Sequence, residues 1–240
     1  MLFENIFYGN NYNELVKYME KKTINLNYSH KLYPHYPWYM KRNFFPGNPW
    51  QEVIRSGNTQ IAQLLIKYEI LPDEMSLAKM LSSKNEWDFE TIKQLIDLGA
   101  PLNGYCEEKF YGEKTTYART YVLFNFFVNL PPISNDSDDQ ILLEQLQYFH
   151  KKGNMLNVIY IDDMSGSVSP LMCVASSGYI QSTKYLLDLG VNLDLQFKSM
   201  SVFDFVAEAV AAESVKSESV YKKKINEVNH LLQNYKLRNK

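Results

Sequence analysis

The stretch SPLMCVASSGYIQSTKYLLDLGVNLD, Ser169–Asp194, reads as two helices joined by a turn. Ser169 offers a side-chain oxygen to free N–H groups at a helix start, and Pro170 is tolerated at the first helical position. A short apolar helix runs to Ser177, and Gly178 supplies a left-handed stop. A second helix carries Thr183, Leu186 and Leu187 on one face and ends at Gly190.

The second-helix pattern is apolar at i, i+3 and i+4, with an interface or helix-ending residue at i+7. It recurs outward from this unit as Leu15, Tyr18, Met19 and Lys22; Ile61, Leu64, Leu65 and Tyr68; and Ile92, Leu95, Ile96 and Gly99. Leu146, Phe149, His150 and Gly153 fit more loosely, and Val228, Leu231, Leu232 and Tyr235 close the series. Any amphipathic helix has such a face, so the flanks decide. Three copies run into a shared tail: Gly99-Ala100-Pro101-Leu102-Asn103, Gly153-Asn154-Met155-Leu156-Asn157 and Gly190-Val191-Asn192-Leu193-Asp194. Each tail predicts a Gly at positive φ, a buried Leu and an Asn or Asp bonding the turn. Ile24-Asn25-Leu26-Asn27 is a variant.

This arrangement resembles the ankyrin repeat, with its T-P-L-H-x-A start and ~33-residue period. Ser169 stands where that family has Thr, Met172 where it has His, and Ala175 follows Val174. The resemblance implies an all-α, ankyrin-like helical solenoid with inserted loops, in one domain, 1–240. Its repeats would span about 1–27, 48–73, 74–104, 115–158, 167–196 and 199–237, with an aromatic insertion at 28–47. Few β-hairpins are expected, because the tails are degenerate. Ser76–Ser82 is expected to be a first helix. Thr116–Phe127 and Gln140–Lys152 are expected as a helix pair split by the acidic loop Ser134–Asp139 after Pro131-Pro132. Ser201–Ala207 takes the place of the motif in a C-terminal cap, Ala211–Ser219 is a last insertion, and Tyr221–Lys236 is the closing helix. Lys222, Lys223 and Lys224 read as a solvated face of that cap.

Composition excludes several classes. A formal net charge of −2 gives no push toward nucleic acid or anionic membrane. Cys106 and Cys173 are far apart and form no metal or redox motif, which fits free thiols in a reducing cytoplasm. MLFENIFYGNNYNEL lacks the basic n-region and apolar core of a secretion signal. No stretch reaches the ~18 apolar residues of a membrane span.

Chemistry-bearing motifs are absent: no G-x-S-x-G, H-E-x-x-H, Walker or G-x-G-x-x-G sequence occurs. His30 and His35 share one loop without a completing ligand. Asp162-Asp163 with Gly166 lacks the later Glu of a calcium loop and reads as a turn. Cys173 reads as a small buried hydrophobe. No catalytic residue, cofactor or metal is therefore expected.

The aromatic residues are the candidates for binding. YPHYPWYMKRNFFPGNPW, Tyr33–Trp50, is stiffened by four prolines and carries Tyr33, Tyr36, Trp38, Tyr39, Arg42 and Phe44. It reads equally as an insertion packed on its own helices or as part of a hot spot, since one loop can anchor some rings and show others. Tyr105, Glu107, Glu108, Phe110 and Tyr111 leave the third turn, and ankyrin turn tips would set them beside the same groove. The resemblance thus implies a non-enzymatic, cytoplasmic module, monomeric when free, that binds one protein and inhibits or sequesters it. Richness in Lys, Asn, Tyr and Ile fits an AT-rich bacterial genome. By fold analogy the partner is then a bacterial toxin and the chain its immunity protein. The alternative is a secreted effector or adaptor that binds host proteins through the same scaffold.

Overall fold

The computed structural model describes residues 50, 53–54, 59–82, 87–110, 116–154, 156–157, 159–162, 166–196, 199–213 and 219–238, with backbone alone at 106–110, 116–120, 161–162, 166–167 and 213. The described residues are mostly helical. The chain divides into two compact units, Met1–Gly104 and Tyr105–Lys240. No helix among the described residues is long and apolar enough to cross a membrane.

In the first unit, α1 (Thr59–Lys67) buries Ile61, Ala62, Leu64 and Leu65. The next helix, α2 (Glu74–Ser82), starts on the Asp73 carboxylate, which accepts the Ser76 N–H at 2.8 Å. It packs on α3 (Phe89–Asp97). Asp88 caps α3, accepting the N–H and the hydroxyl of Thr91, each at 2.8 Å. Trp50 is wholly buried and donates its indole N–H to the Ile70 carbonyl at 2.7 Å. The aromatic run that begins at Tyr33 thus ends in the core.

Both units share one way of ending a helix. Gly99, Gly153, Gly178 and Gly190 have φ of 106°, 78°, 86° and 74°. The residue after each donates back across the turn, Ala100 to the Leu95 carbonyl at 2.9 Å and Val191 to Leu186 at 3.3 Å. The left-handed glycines expected from sequence are therefore present; Leu102 and Leu156 are buried in their tails, whereas Leu193 of the third tail is only half-buried. After α1 the same turn is made by Glu69, at φ 54°, with Ile70 donating to Leu65 at 2.9 Å. The i, i+3, i+4, i+7 pattern starting at Ile61 puts Tyr68 there. The structure corrects it by one residue, because Ile61, Ala62, Leu64, Leu65 and Ile66 let two registers satisfy one pattern.

In the second unit the all-α expectation is corrected by a four-stranded antiparallel sheet, in the order β1 (Tyr105–Phe110), β2 (Thr116–Tyr121), β3 (Tyr160–Asp162), β4 (Gly166–Val168). The expected helix Thr116–Phe127 is strand β2 followed by a short α4 (Phe124–Val128). Thr115-Thr116-Tyr117-Ala118-Arg119-Thr120-Tyr121-Val122 is dense in β-branched and aromatic residues, which suit a pleated strand. The turn expected at Asp162 is the end of β3.

The expected acidic loop at Ser134–Asp139 is the start of α5 (Asp136–Lys151). Asn135 accepts the Asp138 N–H at 3.1 Å while the Asp138 carboxylate accepts the Asn135 N–H at 3.2 Å, a reciprocal capping box. Asn135 and Asp138 thereby satisfy N–H groups at the helix start that a loop would leave to water. The quoted stretch itself folds as expected into α6 (Pro170–Ser176), capped by Ser169, and α7 (Ile180–Asp188). Two longer helices follow, α8 (Val202–Glu213), which continues into the expected insertion, and α9 (Val220–Arg238).

These helices pack in an alternating way. α7 contacts both α5 and α9, and α6 contacts both α4 and α8. Leu146, Phe149, Leu186, Leu187, Val228 and Leu232 are buried. Polar bonds cross from one pair to the next. Tyr235 donates its hydroxyl to the Leu187 carbonyl at 2.8 Å, and the Asn192 N–H bonds the Asn157 side chain at 2.8 Å. Lys224 of the expected solvated face instead reaches Asp136 at 2.6 Å. Gly178 lies between Ile133 and Tyr221, and a Cβ there would stand 3.0 Å and 3.2 Å from their side chains.

Replacing a left-handed glycine costs about 1–2 kcal/mol of backbone strain. Gly190→Ala should cost only that, since nothing lies within 4 Å of its added carbon. Gly178→Ala should cost roughly 1–2 kcal/mol more for overpacking. Glu69→Gly should stabilise the first unit by up to ~1 kcal/mol, net of the extra freedom of the unfolded chain. Urea melts of the three variants check the order.

Acid should weaken the fold at its caps. Asp88, Asp138 and Asp204 are each held below the ordinary aspartate value of 3.8, chiefly by the Thr91 N–H, the Ser134 hydroxyl and the Ser201 hydroxyl respectively. A depressed carboxylate stabilises the fold above its unfolded pKa and loses that contribution as pH falls through its folded one. Stability should be level with respect to these groups above about pH 5 and fall from ~4 downward. Chemical denaturation in a pH series tests this, and Ser201→Ala should shrink the drop.

Candidate interaction surface

Of the residues expected to bind a partner, Tyr33, Tyr36, Trp38, Tyr39, Arg42, Phe44 and Tyr111 lie outside the described residues. Glu107, Glu108 and Phe110 fall on β1, opposite Arg119, Ala118 and Thr116 of β2. Tyr105 opens β1 and is 47% exposed. The structure thus turns the expected loop at Tyr105–Tyr117 into a hairpin with a fixed register.

That register brings a second ring to Tyr105. Tyr121 lies directly across the ladder, is 37% exposed, and meets Tyr105 edge-on with centroids 6.4 Å apart. Its other neighbour is Tyr160 of β3, again edge-on at 5.9 Å. Tyr160 is only 5% exposed and stacks on Phe127 of α4 at 5.7 Å. From Phe127 the contacts continue to Phe126 at 5.1 Å, and from Phe126 to Phe149 of α5 at 5.2 Å. One row of rings therefore leads from the surface into the core. Edge-on and offset pairs of this kind place positive ring edges against negative faces.

The buried end is polar at one point. Tyr160 donates its hydroxyl to the Asn154 side-chain oxygen at 2.6 Å. Burial pushes the Tyr160 hydroxyl up to about 12, against the pull of the Asn154 bond. It is a fixed donor at neutral pH, not a base.

Sequence reasoning found Tyr105 and missed Tyr121, Tyr160, Phe127 and Asn154. The signal for Tyr121 was Gly112 in a short polar run between two strand-forming runs, a hairpin pattern. Tyr160 had no local signal, since its place depends on β3 pairing with β2.

The described residues offer little other chemistry. No group of three or more His, Cys, Asp or Glu among them could hold a metal. Burial pushes the Cys173 thiol up to about 12, so it is not a nucleophile at neutral pH. His150 is exposed and meets the Tyr185 ring edge-on at 6.5 Å. His30 and His35 lie outside the described residues. What the arrangement can do is present two braced aromatic rings, each with a hydroxyl, to another surface. No protein-family model matches the chain, and no curated protein matches it.

Tyr160→Phe should lower stability by about 1 kcal/mol, the worth of one buried hydrogen bond, while keeping the ring stack. Tyr105→Ala should change stability by less than ~0.5 kcal/mol, as expected for a half-exposed side chain. Equal losses in thermal melts would mean that Tyr105 belongs to the core.

Proposed function

We propose that this chain is a non-enzymatic protein-binding module, built on an ankyrin-like helical solenoid, that binds and inhibits or sequesters one partner protein. The observation carrying this reading is the exposed Tyr105–Tyr121 pair, braced on a hairpin by a row of rings running to Phe149. Exposed tyrosines held in place give large contact area at small entropic cost, and such rings dominate binding hot spots.

The solenoid reading is supported by the alternating contacts of α4, α6 and α8 and of α5, α7 and α9, and by the shared left-handed helix ends. A helix pair that cannot cover its own apolar side borrows its neighbour's. The hairpin falls after the third second-helix pattern, where the ankyrin resemblance sets turn tips. Within this reading the partner is a bacterial toxin and the chain acts as its cytoplasmic immunity protein.

The test is affinity purification of the full chain from its native cell, with mass spectrometry and a native-mass measurement of the complex. One protein at fixed stoichiometry is expected. Tyr105→Ala and Tyr121→Ala should each weaken that complex about tenfold or more, the scale of a hot-spot residue. The melting temperature of Tyr105→Ala should stay within ~2 °C of the parent protein, a shift smaller than that of a ~1 kcal/mol change in a small domain. Tyr121→Ala, which also loses the Tyr160 contact, should melt lower. Recovery of a small molecule or metal with no protein would end this reading.

A further inference from the structure

Helix α7 does not cap itself. Its N-cap residue, Tyr179, makes no side-chain hydrogen bond to the first turn. By contrast α3, α5 and α6 are capped by their own Asp88, Asn135 and Ser169. The missing cap comes from the first turn of α5. Asp139 accepts the Gln181 N–H on Oδ2 at 2.7 Å, and the Ser182 N–H and hydroxyl on Oδ1 at 3.0 Å and 2.8 Å. Gln181 and Ser182 are the second and third residues of α7, whose amides have no partner within the helix. The carboxylate therefore does from α5 what a local Asp or Ser does elsewhere, and sits at the positive end of the α7 dipole.

Two facts make this bond decisive. Asp139 and Ser182 are both buried, so water does not replace the contact. And α7 has nine residues, too few for an isolated helix to persist in water. The other polar links near this seam are weaker in kind. Ile133 donates its N–H to the Ser177 carbonyl at 2.9 Å, a neutral backbone bond, and the Asn157–Asn192 bond is exposed. The Asp136–Lys224 pair has its carboxylate 77% exposed and is screened by solvent.

We infer that Asp139 is a latch: it caps α7 from the preceding helix pair and makes the order of α7 depend on α5 being folded. The latch closes one seam of the second unit, whereas α9 packs on α6 and α8 as well as on α7. This holds whether or not the chain binds a partner.

Hydrogen exchange by mass spectrometry on the full chain tests the latch. Asp139→Asn keeps the size of the side chain but turns an N–H donor toward a backbone N–H. Amides of α7 should exchange about tenfold faster or more, while those of α5 beyond Leu142 keep their parent rates. Asp136→Asn, which cuts only the exposed pair, should leave α7 unchanged. An Asp139→Asn protein with parent rates in α7, or with α5 and α7 accelerated equally, overturns the inference. If Asp139→Asn gives no folded protein, Ser182→Ala decides it: faster exchange in α7 without change in α5 supports the latch, and unchanged α7 rates refute it.

Discussion

The left-handed turn that ends five described helices, at Glu69, Gly99, Gly153, Gly178 and Gly190, governs most of what lies around it. The turn sends the chain back beneath the helix it has left, and the next residue lands against that helix. After the four glycines, Ala100, Asn154, Tyr179 and Val191 occupy this slot and are all buried; after Glu69, Ile70 is half-buried. Three of the four suit an apolar place. Asn154 does not, and it is the one that accepts the Tyr160 hydroxyl. A polar side chain in a dry slot needs a partner. Tyr160 supplies one while holding Tyr121 and Phe127 with its ring. The helix end after α5 thus reaches the sheet, and through the sheet the exposed rings.

Helix length explains why neighbours matter. α1, α3 and α7 have nine residues each, α6 has seven and α4 five. None of these would hold its shape alone, because nucleation costs more than so few hydrogen bonds return. Their order must come from packing and capping by other elements. α6 shows the limit: Pro170 through Ala175 are all buried, so the helix has almost no face left for water. A segment enclosed in this way is specified by contact and not by propensity. Within the second unit, α5 and α9, with 16 and 19 residues, are the long helices on which α7 packs.

The parts legible in the sequence were those set by local chemistry. Ser169-Pro170 and Gly178 bracket α6, and Gly99, Gly153 and Gly190 close their helices, because capping and positive φ need particular residues at particular places. The hairpin was not legible by the same means. Thr116–Phe127 has apolar residues that fit either a helix or a strand, and only pairing with β1 and β3 selects the strand. The acidic run was misread for an opposite reason. Asp and Ser favour loops and helix starts alike, and the Asn135–Asp138 reciprocity lies in geometry more than in composition. The surface fared in proportion. Tyr105 stands next to a glycine tail and was found; Tyr121 and Tyr160 join it only through strand register.

The row of rings makes surface and core one packed body. Tyr121 touches Tyr105 on its exposed side and Tyr160 on its buried side, and Phe127 and Phe149 stand behind. Close-packed interiors transmit displacement, because no void is free to absorb it. A ring at the exposed end therefore has few positions open to it before anything binds. That lowers the entropy lost on contact, the main term by which preorganised surfaces gain affinity without added area. An antiparallel ladder sets paired side chains at fixed separation, whereas a loop of the same composition would leave each tyrosine to find its own rotamer.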